Sequence, residues 1–364
     1  MKSRIVLLLL LIPHFIFHNN KPISSRVFQD NSGEVYFAQL DQEITQHDFG
    51  NINRLIILQD DKTIFDKAHN GHQKNEIQCI QSVSKSITSL IVGIALKKNM
   101  IRFEDNITNF FPEYKNIFLS APQWNDVTVD DLLNMTAGYE WYEDRRPEKE
   151  NPVYQMNNSE NPVKYIFERP FFQANKKQFN YCSGCVVLLS TILSKITNNN
   201  LREFAEVNLF TPLEIDNYHW VNFRNGLING AGGLYLSAED MAKTGLLFLN
   251  NGRWRNKEII DSSYFNHLKN NLVEVSGYAD ATHYTQLWWV NKRVFRVGEK
   301  TESETIYSAN GYGDQHIIMI PNRELVIVIT GSNNGSVEKK YLYTRIVDEI
   351  LKLFGNTQLM GDSL

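Results

Sequence analysis

Ser82-Val83-Ser84-Lys85 opens a long apolar stretch of this chain and places a hydroxyl and an amine three residues apart. The chain then continues with Lys97-Lys98-Asn99, where cations suit the C-terminal end of a helix dipole. Between these points apolar residues recur at helical spacing, at Val83, Ile87, Leu90, Ile91 and Ile94. The pattern predicts a helix on which Ser82 and Lys85 share a face, with Ser82 at the positive N-terminus.

A serine beside a lysine is compatible with two interpretations. A serine hydroxyl is a weak nucleophile until a base removes its proton, and Lys85 is a base only where its neutral amine is accessible. The same spacing also fits an ordinary helix with a capping Ser82 and a surface Lys85. The choice between a catalytic pair and a plain helix start therefore depends on the rest of the chain.

Two further motifs follow in the sequence. Phe179-Asn180-Tyr181-Cys182-Ser183-Gly184 precedes a second apolar helix pattern that continues to Ile196, so Tyr181 and Ser183 fall on a loop-to-helix junction. Residues 308–315 read SANGYGDQ and lead into an apolar strand pattern. Pro321-Asn322-Arg323 then turns the chain into a second apolar run, which predicts a hairpin.

These three elements, in this order, resemble the S-x-x-K, Y-x-N and K-T-G signature of the serine β-lactamase and penicillin-binding superfamily. The tyrosine in the second motif resembles the class C β-lactamase-related branch, with its esterases and 6-aminohexanoate oligomer hydrolases. Segments 127–138, 230–242 and 287–290 are similar to that branch as well. The resemblance covers roughly residues 48–352.

The resemblance implies an α/β, β-lactamase/transpeptidase-like fold, in which a central antiparallel sheet is flanked by helices and carries a mostly helical insert. We expect this domain to cover residues 30–354, with an α/β part at 30–108 and 225–354 and a helical part at 109–224. Strands are expected at 55–58, at 63–68 and in the hairpin around Pro321, and a terminal helix at 337–354.

The resemblance also implies an acyl-enzyme mechanism without a metal or an organic cofactor. Ser82 attacks a carbonyl, and Lys85 with Tyr181 relays its proton to the leaving group; which of the two is the general base stays open. The expected catalytic residues are Ser82, Lys85, Tyr181 and Ser183, the expected oxyanion donors are the backbone N–H groups of Ser82 and Tyr312, and the expected substrate-binding residues are Ala309 and Gly311.

Two departures from the family pattern bear on the substrate. Ser183 stands where class C β-lactamases have Asn, and Ala309-Asn310-Gly311 stands where they have Lys-Thr-Gly. In the family that lysine helps to bind the substrate carboxylate, a charge that Ala309 cannot supply. We therefore favour a serine hydrolase of small esters or amides. The alternatives are a cell-wall peptide or β-lactam hydrolase and a non-catalytic penicillin-sensor-like binding module, against which the intact Ser82, Lys85 and Tyr181 argue.

Composition and the N-terminus restrict partners and location. Hydrophobic residues make up 42% of the chain, enough for a sizeable core, and the net charge of −4 gives no case for nucleic acid binding. Met1-Lys2-Ser3-Arg4 precedes a mostly apolar run at 5–17, which predicts a signal peptide or N-terminal anchor over residues 1–25. We expect a periplasmic or secreted protein that meets a membrane only through this segment.

The remaining polar and aromatic candidates have structural interpretations. Cys182 and Cys185 form a C-x-x-C without a thioredoxin-like setting or further zinc ligands, so we expect buried packing cysteines. Residues 143–150 are expected to form a solvated charged loop that borders the pocket. His316 begins a strand and is expected to be structural. Three tryptophans are expected in the core, with the cleft wall as the alternative: Trp141, Trp288 and Trp289.

Overall fold

The structure is a computed structural model that describes residues 32–143, 148–171, 177–278, 281–297, 300–334, 342–353 and 357–359. The segment at 1–25, where the sequence predicts a signal peptide or anchor, lies outside these residues and stays a prediction. Within the described ranges, no helix combines the length and the apolar character needed to cross a membrane.

Helices surround a large sheet, and two of them, α2 and α7, carry the motifs that the sequence singled out. The α-helices are α1 (Ser32–Thr45), α2 (Val83–Lys97), α3 (Lys115–Ser120), α4 (Val129–Leu133), α5 (Pro152–Asn158), α6 (Pro162–Phe167), α7 (Ser183–Ile196), α8 (Leu201–Ala205), α9 (Ala238–Leu249), α10 (Ser262–Asn270) and α11 (Leu342–Leu353). Short 3₁₀ turns lie at Ile107–Phe110, Pro112–Tyr114, Pro122–Asp126, Glu148–Glu150 and Pro321–Arg323, and a π-helical turn at Glu206–Phe210.

Within the residues that the structure describes, the strands form one large antiparallel sheet and two small ones. They are β1 (Ile52–Gln59), β2 (Lys62–Ala68), β3 (Gln78–Cys79), β4 (His219–Trp220), β5 (Leu234–Leu236), β6 (Arg253–Trp254), β7 (Lys257–Glu258), β8 (Val273–Glu274), β9 (His283–Thr285), β10 (Trp288–Val297), β11 (Lys300–Gly311), β12 (Gln315–Ile320), β13 (Leu325–Gly331) and β14 (Thr357–Leu359). The large sheet runs β2-β1-β13-β12-β11-β10-β9-β8, and β14 pairs with β10. The small sheets are β3-β5-β4 and β6-β7.

The central strands are buried on both faces, which explains their continuous apolar runs. Along β13, Ile327 and Ile329 face a core that contains residues of α1 and α11, whereas Val326 and Val328 face the larger core that contains residues of α2, α7 and α9. Alternate residues of β1 divide in the same way between the two cores. The sheet is therefore a middle layer, and α2 lies on the face that carries the motif residues.

Most of the predicted elements occur in the structure. Helices α2 and α7, strands β1 and β2 and the hairpin of β12 and β13 contain the segments expected from the sequence. The terminal helix, predicted at 337–354, is described as Leu342–Leu353; residues 335–341 and 354–356 lie outside the described part. The division into an α/β part and a helical part stays a prediction.

Candidate active site

Ser82 lies at the start of α2 with its hydroxyl available for chemistry. The chain enters from β3 through Gln81, whose positive φ of 51° makes the turn. Ser82 is the N-cap residue, yet its side chain makes no capping hydrogen bond. Instead, Nζ of Lys85 donates a hydrogen bond to Oγ of Ser82 at 2.8 Å. The helical spacing of S-x-x-K therefore brings the amine onto the hydroxyl, as the sequence predicted.

Lys85 is almost fully buried and is held from a distant segment. Lys85 is 2% exposed, and its Nζ also donates a hydrogen bond to the carbonyl of Ala231 at 2.7 Å. The next turn of α2 repeats this contact, because Oγ1 of Thr88 donates to the carbonyl of Gly230 at 2.9 Å. The segment before β5 thus fixes the amine over Ser82. Sequence reasoning named this glycine-rich segment for its family resemblance and missed the role of the Ala231 carbonyl.

Tyr181 reaches the same site from the loop before α7. Its ring centre lies 5.2 Å from Nζ of Lys85. The ring stacks on Trp289, with centroids 5.4 Å apart, and meets Tyr284 edge-on at 6.4 Å. Trp289 is 9% exposed and, like Trp288, belongs to the buried core, as the sequence predicted for both.

Ser183 is the first residue of α7, and its hydroxyl is bonded to a carboxylate. Its Oγ donates to Oε1 of Glu143 at 3.2 Å, its backbone N–H donates to Oε2 at 3.3 Å, and Nε1 of Trp141 donates to Oε2 at 2.9 Å. The expectation of a solvated loop at 143–150 is wrong at Glu143. The positive N-terminus of α7 favours a carboxylate there, and three donors hold it in place. Residues 144–147 lie outside the described part.

Ala309 and Gly311 lie near the end of β11, beside the turn that precedes α2. Ala309 is buried and belongs to the core that includes α2. A Cβ on Gly311 would lie 2.5 Å from the carbonyl oxygen of Ile80 and 3.2 Å from Cβ of Gln81. Only a glycine lets the strand approach the backbone this closely. The end of β11 is therefore packed directly against the chain that leads into Ser82.

Tyr312 follows Gly311 and begins the hairpin turn between β11 and β12. Within the described ranges, neither the backbone N–H of Ser82 nor that of Tyr312 has a hydrogen-bond acceptor in the protein. The contact of Gly311 with residues 80–81 places these two amides on adjoining backbone segments. Two unpaired N–H groups beside a serine hydroxyl are the elements of an oxyanion hole.

A cavity of about 740 Å³ adjoins the group of Ser82, Lys85 and Tyr181, and Tyr181 forms part of its wall. Aromatic residues form much of the wall, and the charged residues on it are two acids and one lysine. The lysine, Lys177, is ion-paired with the buried Asp131. The full lining consists of Trp141, Tyr142, Glu143, Lys177, Gln178, Phe179, Asn180, Tyr181, Val273, Glu274, Val275, Ser276 and Tyr278.

Cys182 and Cys185 are buried behind Tyr181 and are not joined by a disulfide. The hydroxyl of Tyr139 lies 2.9 Å from Sγ of Cys182 and 3.4 Å from Sγ of Cys185. Burial raises the pKa of the Cys182 thiol well above its usual value, which disfavours the reactive thiolate. In the described part of the chain no group of three or more His, Cys, Asp or Glu side chains is arranged to hold a metal ion. These contacts support the interpretation as packing residues.

The family is decided by residues 54–350, which match the family model described as Beta-lactamase. The chain belongs to the Beta-lactamase family. This family member is 25% identical over 141 residues to a β-lactamase of Escherichia coli K12, a match that covers 39% of this chain and 34% of that protein. It is 19% identical over 255 residues to the 6-aminohexanoate-dimer hydrolase of Paenarthrobacter ureafaciens, with coverage of 64% and 63%. The matches thus span less than two thirds of either relative.

A solved structure supports the fold of this Beta-lactamase family member over most of its length. The structure of a Bacillus anthracis protein assigned as a 6-aminohexanoate-dimer hydrolase superposes with a TM-score of 0.68 at 22% identity. The superposition covers 85% of this chain and 81% of that one. The fold is therefore the β-lactamase/transpeptidase-like fold expected from the motifs.

Proposed function

We propose that this protein is a serine hydrolase that cleaves a small ester or amide through an acyl-enzyme on Ser82. The 2.8 Å contact between Nζ of Lys85 and Oγ of Ser82 carries the proposal. A hydroxyl that only capped α2 would bond to a backbone N–H of the first turn, and Ser82 does not do so. A lysine with only a packing or ion-pairing role has no need of this arrangement, in which the Ala231 carbonyl holds Nζ next to the Ser82 hydroxyl.

The geometry supports a two-step acyl transfer. Oγ of Ser82 attacks the substrate carbonyl while its proton passes to the Lys85–Tyr181 pair, and the carbonyl oxygen takes up the negative charge. The unpaired N–H groups of Ser82 and Tyr312 receive that oxygen. The pair returns the proton to the leaving alcohol or amine as the carbon–oxygen or carbon–nitrogen bond breaks. Water then gives a proton to the Lys85–Tyr181 pair and attacks the acyl carbon; the bond to Oγ breaks, the acid is released, and the pair returns the proton to Ser82.

The chemistry of the site favours esters and simple amides over β-lactams. Ala309 is buried on the α2 side of β11 and offers no cation for a substrate carboxylate. Ser183 already uses its hydroxyl on Glu143, at 3.2 Å. Two similar proteins are named 6-aminohexanoate-dimer hydrolases, and their names support an amide that is not a β-lactam.

The charges of the cavity favour a substrate with a cationic group. Glu143 and Glu274 lie in its wall, and the one wall cation in the described part of the chain, Lys177, is paired with Asp131. Several aromatic rings line the same space, and the faces of such rings also attract cations. An ammonium group beyond the scissile bond therefore suits this cavity better than a carboxylate.

Covalent labelling tests the proposed function. The purified protein is treated with a fluorophosphonate probe and digested, and mass spectrometry locates the adduct. We expect one adduct, on the peptide that contains Ser82, and none in Ser82→Ala. The matched control is Ser86→Ala, which removes a neighbouring hydroxyl that donates to the carbonyl of Leu287 and should still be labelled. Labelling that persists in Ser82→Ala, or an unlabelled wild-type protein, would contradict the proposal.

A further inference from the structure

We infer that Asp314 and His316 are positioning residues that fix the backbone N–H of Tyr312 in the oxyanion hole, an inference that rests on the proposed function. Neither side chain lines the cavity. Asp314 is the last residue of the turn that carries Tyr312, and His316 is the second residue of β12, where its ring packs on α11.

The turn itself is a tight one with an unusual backbone. Gly311 pairs with Gln315, so three residues, 312–314, connect β11 to β12. Gly313 and Asp314 both have positive φ, 79° and 65°. Asp is among the few residues other than Gly that adopt this left-handed conformation readily. A turn of this kind needs outside contacts to hold one geometry, and an oxyanion donor must be fixed before the reaction begins.

The carboxylate of Asp314 supplies those contacts in a buried setting. Asp314 is 5% exposed, and its Oδ1 lies 3.3 Å from Nε2 of His316. Its Oδ2 accepts a hydrogen bond from the side chain of Asn333, just after β13. Oδ1 of Asn333 in turn accepts from the backbone N–H of Asn51 at 2.8 Å. The turn is thereby fastened to the end of β13 and to the residue that precedes β1.

His316 extends this network to the C-terminal helix. It is 3% exposed, and its Nδ1 lies 3.0 Å from Oδ1 of Asn310. Its ring stacks on Tyr343 of α11, with centroids 3.8 Å apart, and the amide of Asn310 donates to the Tyr343 hydroxyl at 3.3 Å. Both ring nitrogens of His316 are thus engaged by side-chain oxygens, one on each side of the turn's network.

Gln315 adds a second connection to the turn. Its Nε2 donates to the carbonyl of Gly313 at 3.2 Å and to that of Gly331 at 2.7 Å. Residues 312–314 therefore cannot move away from Ser82 without breaking several buried hydrogen bonds. Since an oxyanion donor acts on charge that forms only in the transition state, loosening this turn should lower kcat and leave KM nearly unchanged.

The experiment compares Asp314→Ala, His316→Ala and Asp314→Asn with the wild-type protein on p-nitrophenyl butyrate. Inhibition by a boronic acid, which forms a tetrahedral adduct on the serine, reports on the oxyanion hole directly. We expect kcat and boronate affinity to fall together by about ten- to a hundredfold in the alanine variants, with KM within about threefold. Asp314→Asn keeps the left-handed turn and a bond to Asn333, so it should recover part of both losses.

His267→Ala is the matched control. His267 also pairs with an aspartate, Asp130, at 3.0 Å, and stacks on an aromatic ring, that of Phe103, at 3.9 Å, but it lies away from the turn. This variant should keep kcat and boronate affinity near wild type. Equal losses in His267→Ala, or unchanged boronate affinity in folded Asp314 and His316 variants, would overturn the inference.

Thermal unfolding shows which variants are folded. Where an alanine variant does not fold, the boronate affinity of Asp314→Asn tests the positioning role. Boronate affinity of Asp314→Asn equal to that of wild type would then overturn the inference, and a partial loss would support it. Absence of labelling and turnover in the wild-type protein would instead contradict the proposed function. If the wild-type protein is labelled and active, and the folded Asp314 and His316 variants have the same kcat and boronate affinity, only the positioning role is contradicted.

Discussion

Nζ of Lys85 lies 5.2 Å from the centre of the Tyr181 ring, although 96 residues separate the two in the chain. The same Nζ donates to Ser82 and to the carbonyl of Ala231. Lys85 is therefore the point at which the start of α2, the loop before α7 and the segment before β5 meet. In the proposed mechanism, a proton that leaves Ser82 enters this junction first.

The first prediction is that Lys85 and Tyr181 act as one unit. Lys85→Ala, Tyr181→Phe and the double variant are compared by kcat/KM on p-nitrophenyl butyrate. Each single change should cost about a thousandfold, and the double variant little more than the worse single one, because one missing member already stops proton transfer. Lys97→Ala, at the other end of α2, is the control and should stay near wild type. Losses that add in free energy would show that the two residues work independently.

The sequence predicted the parts of the site that depend on spacing between neighbouring residues in the chain. Ser82, Lys85 and Tyr181 stand at helix starts, where spacing alone determines which side chains share a face or a junction. The carbonyl of Ala231 and the carboxylate of Glu143 could not be found in this way. Ala231 lies 146 residues from Lys85 and acts through its backbone, which every residue has; Glu143 lies 40 residues before Ser183 in a charged run that gives no sign of folding inward.

The second prediction concerns the contact of Gly311 with the backbone before Ser82. In Gly311→Ala the new Cβ would lie 2.5 Å from the Ile80 carbonyl, so the end of β11 must move away from Ser82. We expect kcat for ester hydrolysis to fall by about tenfold or more, since an oxyanion donor is displaced. Gly232→Ala is the matched control, because nothing lies within 4 Å of its Cβ position. Wild-type turnover in Gly311→Ala would mean that the turn after β11 does not supply the donor.

The third prediction separates esters from β-lactams. Ala309 cannot supply the cation that the family's third motif offers to a β-lactam carboxylate, and a lost charge-assisted contact costs about 1.5–3 kcal/mol. This corresponds to roughly ten- to a hundredfold in kcat/KM. We expect measurable hydrolysis of p-nitrophenyl acetate or butyrate and slow or absent turnover of nitrocefin at matched concentration. A larger kcat/KM for nitrocefin than for both esters would refute the preference.

The fourth prediction is a loss of stability in acid that depends on Asp66. Burial alone would raise the pKa of this carboxyl, but hydrogen bonds and charge from Arg54 at 2.9 Å and Lys74 at 3.0 Å outweigh it and lower the pKa. The stabilisation is therefore present in full above the unfolded pKa of about 3.9 and is lost as pH falls through the lower folded pKa. Asp66→Asn should lower the unfolding temperature at pH 7, and its difference from wild type should shrink below pH of about 4.

Glu168→Gln is the control for this measurement. Glu168 pairs with Lys164 at 3.7 Å with both side chains about half exposed, and such surface pairs contribute little to stability. Its unfolding temperature should match wild type at both pH values. A difference between Asp66→Asn and wild type that stays constant from neutral pH to pH of about 2 would show that the carboxylate charge of Asp66 does not stabilise the fold.

The last prediction tests whether Glu143 selects a cationic substrate. The substrates are 6-aminohexanoyl p-nitroanilide and hexanoyl p-nitroanilide, which differ only in a terminal ammonium. Wild type should prefer the first, and Glu143→Gln should reduce that preference by about tenfold, the value of one charge-assisted contact. The oxygen of a glutamine can still accept from the Ser183 N–H and Trp141 Nε1, and its amide can donate to the Ser183 hydroxyl. Turnover of the neutral substrate should therefore stay within about threefold. Glu150→Gln, an exposed carboxylate outside the cavity wall, should change neither rate. Equal losses on both substrates in Glu143→Gln would mean that Glu143 only supports the start of α7.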